Sequence, residues 1–147
     1  MSIHWKTTGA MSLALAALCL AGGPARARDG QARSAAEQAA AVPENAPEIL
    51  QAIDAKSAQL QHAIQTGALG QVHHLAYAIR DLAAALPSHS PNLAADKLAA
   101  VKGEVKFVAT LAERLDASGD AHDKETTQAN YEKLAKVIAT IRSNYAK

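Results

Sequence analysis

Histidine is the side chain in this sequence best suited to bind a metal ion. Five of the six histidines follow residue 27, and two of these, His73 and His74, are adjacent. Asp81 comes seven residues after His74, so a helix would place both on one face, two turns apart. Neutral imidazole together with carboxylate suits zinc, copper or nickel. We take His73, His74 and Asp81 as the first candidate metal site; solvated histidines on a polar helix face are the alternative.

A second candidate metal site is the short segment that contains Asp120, His122 and Asp123, with Glu125 close behind. These carboxylates and one imidazole could form a weak divalent-cation site. An aspartate at the start of a helix is also expected without any ligand, because it accepts hydrogen bonds from free backbone N–H groups. The segment lacks the spaced oxygen ligands and the turn glycine of a calcium-binding loop.

Acid–base groups occur together in one stretch only, which comprises His73, His74, Tyr77, Arg80 and Asp81. On a single helix these groups share a convex face, whereas catalytic groups converge in a cleft. The sequence has no nucleophile elbow, no glycine-rich phosphate loop and no His-Glu-x-x-His motif. We therefore predict no enzymatic activity. The enzymatic alternative has two requirements: acids from another helix must lie beside His73 or His74, and these groups must converge in a cleft.

The elements that position these groups are predicted to be four amphipathic helices. Apolar residues recur at intervals of three and four over residues 47–66, 70–86, 94–118 and 123–145. No segment alternates with a period of two, so no strand is predicted. Short connections between such helices favour an all-α, antiparallel up-down four-helix bundle.

The same periodicity predicts which side chains face the core of this bundle. His62, His73 and His74 fall away from the apolar stripes, whereas a haem or di-metal site inside a bundle needs inward-facing ligands. Tyrosine and Phe107 are predicted at the ends or seams of an Ala, Leu, Val and Ile core. Gly103 either permits close helix approach or is tolerated on the outer face.

The first 27 residues resemble an export signal more than a structural element. Lys6 precedes an uncharged stretch over residues 9–23, and Ala25-Arg26-Ala27 follows. This layout is typical of a cleaved secretory signal peptide. We predict a signal over residues 1–27, a flexible leader over residues 28–44, the bundle over residues 45–147, and a periplasmic or secreted location.

Cleavage after Ala27 would narrow the chemistry that is open to the protein. It would remove Cys19, which is the only cysteine, and both methionines. Disulfides, covalent haem attachment and thioether ligation would then be excluded. Leu18 before Cys19 disfavours lipidation, because that position normally takes a small residue. The formal net charge would change from +1 to −1, so no nucleic-acid partner is expected. No transmembrane helix is predicted in the mature chain.

Two segments resemble sequences of small exported helical-bundle proteins of Gram-negative bacteria. They are residues 72–87, VHHLAYAIRDLAAALP, and residues 105–116, VKFVATLAERLD, and the end from Asn130 to Tyr145 extends the similarity. Most such proteins have no assigned function, and some accompany metal-efflux systems, so the resemblance implies a link to metal homeostasis. The bundle also resembles the soluble b-type cytochrome fold, without that fold's methionine or inward histidine ligands.

Two functions follow as expectations. The first is an exported bundle that binds a divalent transition metal ion, or an envelope protein, without catalysing a reaction. The alternative is a protein-binding or scaffold bundle in the cell envelope that uses no metal.

Overall fold

The computed structural model describes residues 42–146. This range forms four α-helices and one short 3₁₀ turn, without a strand, which confirms the predicted all-α class. The elements are α1, Ala46–Thr66; the 3₁₀ turn, Leu69–Gln71; α2, Val72–Ala85; α3, Ala95–Asp120; and α4, Lys124–Ser143. The predicted signal peptide with Cys19, and the predicted leader up to residue 41, lie outside the described residues.

Local sequence signals set both ends of α1. The Asn45 side chain accepts a hydrogen bond from the backbone N–H of Glu48 at 3.0 Å, so it caps the first turn. Gly67 ends the helix in the left-handed conformation, with φ of 77°. Its N–H contacts the carbonyls of Ala63 and Ile64, which satisfies acceptors that the helix end leaves free.

The core consists of aliphatic side chains from all four helices. Each helix packs on its neighbour in the chain, and α1 also contacts α4. The largest fully buried side chains are Ile49, Ile53, Leu60, Ile64, Val72, Ile79, Leu86, Val101, Val108, Leu115, Leu134 and Ile141. These residues all belong to the apolar stripes predicted from the sequence. The stripes form the core because removal of apolar surface from water is the main driving force for folding.

The apolar seam that the periodicity predicts from Ala94 to Leu115 belongs to the core or packs against it from Val101 onward, but not at its start. Ala94 is exposed and Leu98 is only partly buried, whereas Leu111 is buried. Phe107, predicted at an end or seam of the core, is 60% exposed. It directly precedes the fully buried Val108, and a helix turns successive side chains by about 100°. The helix therefore directs Phe107 out of the core.

The two glycines of α3 occupy different surroundings. A Cβ at Gly103 would meet no atom within 4 Å, so the second of the two predicted explanations, tolerance on an open face, holds. A Cβ at Gly119 would lie 3.0 Å from the Cβ of Val72. Gly119 thus allows the end of α3 to approach the start of α2 closely. None of the helices within residues 42–146 combines the length and apolar character needed to cross a membrane.

Candidate functional site

The close approach of α2 and α3 brings His73 to a carboxylate from another helix. Nδ1 of His73 lies 2.7 Å from Oδ1 of Asp116, across 43 residues of sequence. The side chain of His73 is 51% exposed and that of Asp116 is 22% exposed. A carboxylate offers only acceptors, so Nδ1 carries the hydrogen and donates it. Nε2 of a neutral His73 is then left with its lone pair.

Tyr77 holds the second oxygen of the same carboxylate. Its hydroxyl donates to Oδ2 of Asp116 at 3.2 Å, and its ring lies edge-on to His73 with centroids 4.8 Å apart. The guanidinium of Arg80 lies 4.3 Å from the centre of the Tyr77 ring, in cation–π geometry. Partial burial, followed by the negative charge of Asp116, raises the pKa of Tyr77 above its ordinary value. The phenol therefore remains protonated and can donate at neutral pH.

The other two residues of the first candidate set are His74 and Asp81. His74 is exposed, and its ring meets that of His73 edge-on at a centroid distance of 5.1 Å. Asp81 does not join the imidazoles but pairs with its neighbour Arg80, whose Nε lies 2.9 Å from Oδ1 of Asp81. Among residues 42–146, no three His, Cys, Asp or Glu side chains form a group able to hold a metal ion. Asp116 thus replaces Asp81 as the carboxylate beside His73.

The second candidate segment forms the turn between α3 and α4. Asp123 caps α4 by accepting hydrogen bonds from the backbone N–H of Thr126 at 3.0 Å and from its hydroxyl at 2.6 Å. The hydrogen bond from the Thr126 side chain, and then that from its backbone, lower the pKa of Asp123. His122 has a left-handed backbone with φ of 54°, and Asp120 is exposed. The capping role expected of an aspartate at this position accounts for Asp123 without a ligand.

Sequence reasoning missed Asp116, and the signal that could have found it is weak. Asp116 directly follows the buried Leu115 near the end of α3, so it lies at the border of the apolar stripe. If two consecutive helices run in opposite directions, the start of the first lies beside the end of the second. That rule would have placed Asp116 near His73, but it does not select this residue among the several charged groups at the end of α3.

The structure meets one of the two conditions for the enzymatic alternative. An acid from a second helix, Asp116, does reach His73. The imidazole is half exposed, however, and the neighbouring Tyr77 hydroxyl is already bonded to Asp116. The arrangement orients an imidazole, as in metal sites and acid–base pairs. His73, Tyr77 and Asp116 line neither the cavity of about 390 Å³ nor that of about 430 Å³ found within residues 42–146.

No family model, curated protein or solved structure gives a significant match to this chain. The resemblance to exported helical proteins of Gram-negative bacteria stays a prediction. The function must therefore be argued from the side chains.

Proposed function

We propose that the protein is an exported helical bundle that binds a divalent transition metal ion through His73 and His74. The hydrogen bond from Nδ1 of His73 to Asp116 carries this proposal. Histidines that ligate metals almost always donate their other ring N–H to a carboxylate, a carbonyl or water. The carboxylate fixes the tautomer and the ring orientation, and it makes the free nitrogen a better ligand.

The second ligand in this proposal is the adjacent imidazole of His74. Both rings are exposed and lie edge-on with their centroids 5.1 Å apart. Because Asp116 holds His73, the proposal requires the His74 side chain to rotate until one of its nitrogens reaches an ion bound at Nε2 of His73. Solvent would complete the coordination sphere. Two imidazoles with water suit Cu²⁺, Ni²⁺ or Zn²⁺. A site with two protein ligands is open and exchangeable, as expected for transfer or buffering of an ion.

Export and helix direction are part of the same proposal. We infer that the chain is cleaved after Ala27 and acts in the periplasm or outside the cell. Mass spectrometry of the exported protein should find Arg28 as its first residue; a product that retains residues 1–27 would contradict this.

The antiparallel up-down topology is supported by polar contacts at both ends of α4. Lys124, at the start of α4, donates to the carbonyl of Gln65 near the end of α1 at 2.8 Å. Arg142, near the end of α4, pairs with Asp54 and donates to the carbonyl of Leu50. Contacts in this order are those of two helices that run in opposite directions.

The test is a titration of the protein with Zn²⁺, Cu²⁺ and Ni²⁺, followed through the histidine ring resonances. We expect saturable perturbation of His73 and His74 with one ion per chain. His73→Ala and His74→Ala should each abolish saturation, whereas the exposed His62 offers a matched control as His62→Ala. Shifts spread equally over all histidines, or none at all, would refute the metal proposal.

The alternative function, protein binding without a metal, has one observation in its favour. Phe107 exposes most of its ring on α3, where the neighbouring Lys106 and Thr110 are also exposed. Exposed aromatic side chains are enriched at protein interfaces. This alternative predicts an envelope partner that remains bound in the presence of a chelator and in His73→Ala, but is lost in Phe107→Ser.

A further inference from the structure

A cavity of about 430 Å³ lies where three segments of the described chain meet. These are the segment that leads into α1 together with its first two residues, the connection between α2 and α3, and Tyr145, the second residue after α4. Its polar lining residues are Glu44, Asn45, His89, Ser90, Asn92 and Tyr145, and the other lining residues are apolar. The volume lies within the range of small-molecule sites. His73 lies in the first turn of α2, whereas the cavity lies beyond its last residue, Ala85, about 18 Å further along the helix.

One wall contains a directed chain of hydrogen bonds. Ser90 is only 5% exposed, and its hydroxyl donates to the carbonyl of Leu86 at 2.6 Å. Since Ser90 has only one hydroxyl hydrogen, Tyr145 must be the donor in the 2.9 Å contact between the two hydroxyls. The Tyr145 oxygen therefore faces any further partner as an acceptor.

His89 is also left as an acceptor in its neutral form. Its Nδ1 lies 2.9 Å from the carbonyl of Ala85, so this nitrogen carries the hydrogen and donates it. Nε2 then holds the lone pair. This hydrogen bond fixes the tautomer of neutral His89, and the contact with Ser90 fixes the direction in which the Tyr145 hydroxyl donates.

Among the other lining side chains, one is charged, and its charge is negative. Glu44 is the only Asp, Glu, Lys or Arg among the lining residues. Pro47 and Pro91 have no backbone N–H, and the Asn45 side-chain oxygen already accepts from Glu48. The side-chain donors that remain are the neutral amides of Asn45 and Asn92. Acceptors and negative charge thus dominate a cavity with largely apolar walls.

We propose that this cavity binds a small organic amine in its ammonium form, with an apolar or aromatic body. The ammonium group donates hydrogen bonds to the acceptors at His89 and Tyr145 and pairs with Glu44. The body contacts Pro47, Pro91 and Leu93. The Tyr145 ring adds a face that attracts cations.

Three probes with the same indole body but different charge test this inference. They are tryptamine, which is a cation, tryptophol, which is neutral, and indole-3-acetate, which is an anion. Each is titrated into the protein with chelator present, and backbone amide shifts are followed by NMR. We expect tryptamine to give saturable shifts at the amides of residues 44–46, 89–90, 92–93 and 145. Tryptophol should bind about two- to fivefold more weakly, as loss of a partly exposed charge pair predicts.

Two substitutions of glutamate separate the cavity charge from general surface charge. Glu44→Gln should weaken the binding of tryptamine by the same two- to fivefold factor and leave the binding of tryptophol unchanged. Glu48→Gln removes an equal charge from the first turn of α1, at a residue that does not line the cavity. It should change neither the affinity for tryptamine nor the affinity for tryptophol. Tighter binding of indole-3-acetate than of tryptamine, an unchanged affinity in Glu44→Gln, or no saturable shift with tryptamine would each overturn the proposal. Chelation keeps these outcomes independent of the metal site.

Discussion

At the scale of single residues, Asp116 organises the candidate metal site. Its two oxygens accept from His73 on one side and from Tyr77 on the other, so neither imidazole nor phenol can turn away without losing a hydrogen bond. Arg80 covers the outer face of the Tyr77 ring and holds Asp81 at the same time. A half-exposed imidazole is in this way held in one orientation with one nitrogen free.

Asp123 makes the stability of the turn before α4 depend on pH. Folding lowers the pKa of its carboxyl below the ordinary value of 3.8. A group with a lowered pKa stabilises the fold above its ordinary pKa, and this stabilisation is lost as the pH falls through the lowered value. Asp123→Asn keeps a capping side chain but cannot ionise. We expect the wild type to be the more stable protein at neutral pH, and the difference to shrink below about pH 4.

Urea unfolding near neutral pH and at about pH 3 measures this difference in the free energy of unfolding. The two proteins differ in one titrating group, so the contributions of all other carboxyls to the pH dependence of stability cancel in the difference. A difference that stays constant with pH would show that the Asp123 charge does not contribute to the cap.

At the scale of elements, the packing of α3 against the start of α2 positions the candidate site. This contact needs a residue without a side chain at Gly119, where a Cβ would lie 3.0 Å from the Cβ and 3.2 Å from the Cγ1 of Val72. Val72 is fully buried and directly precedes His73. Any shift of Val72 therefore also moves the imidazole relative to Asp116.

The two glycines of α3 give a matched pair of substitutions. Gly119→Ala crowds Val72, and we expect a net loss of about 1 kcal/mol in the free energy of unfolding, since overpacking outweighs the gain in helix propensity. Gly103→Ala meets open space and should gain about 0.5–1 kcal/mol. Denaturant unfolding of both variants measures whether each substitution raises or lowers the free energy of unfolding. Stabilisation by both would contradict close packing at Gly119.

At the scale of the whole molecule, local signals predict the helices well, and long-range contacts much less. Asn45 and Gly67 mark the ends of α1, and the apolar stripes of α1, α2 and α4 become core. The 3₁₀ turn before α2 shifts its predicted start by two residues, because it forms from the same glycine-containing segment. Phe107 shows that apolar character alone does not imply burial.

The candidate metal site likewise depends on a long-range contact that the sequence does not predict. His73 and His74 are recognisable by residue type, but their partner depends on which residue of α3 meets the first turn of α2. Nothing in the sequence identifies Asp116, 43 residues further along the chain, as the partner of His73. Asp81, chosen for its spacing on one helix, instead bonds to its immediate neighbour Arg80. Spacing within a helix can therefore suggest ligands but cannot assign the groups that orient them.

The most direct test of the metal proposal is the zinc affinity of Asp116→Asn compared with that of Asp81→Asn. Both substitutions remove one negative charge near the same histidines, so they have equal effects on net charge. We expect Asp116→Asn to weaken zinc binding by about 10- to 100-fold, as loss of an orienting carboxylate does, and Asp81→Asn to leave it nearly unchanged. Equal losses in both variants, or a larger loss in Asp81→Asn, would contradict the metal proposal.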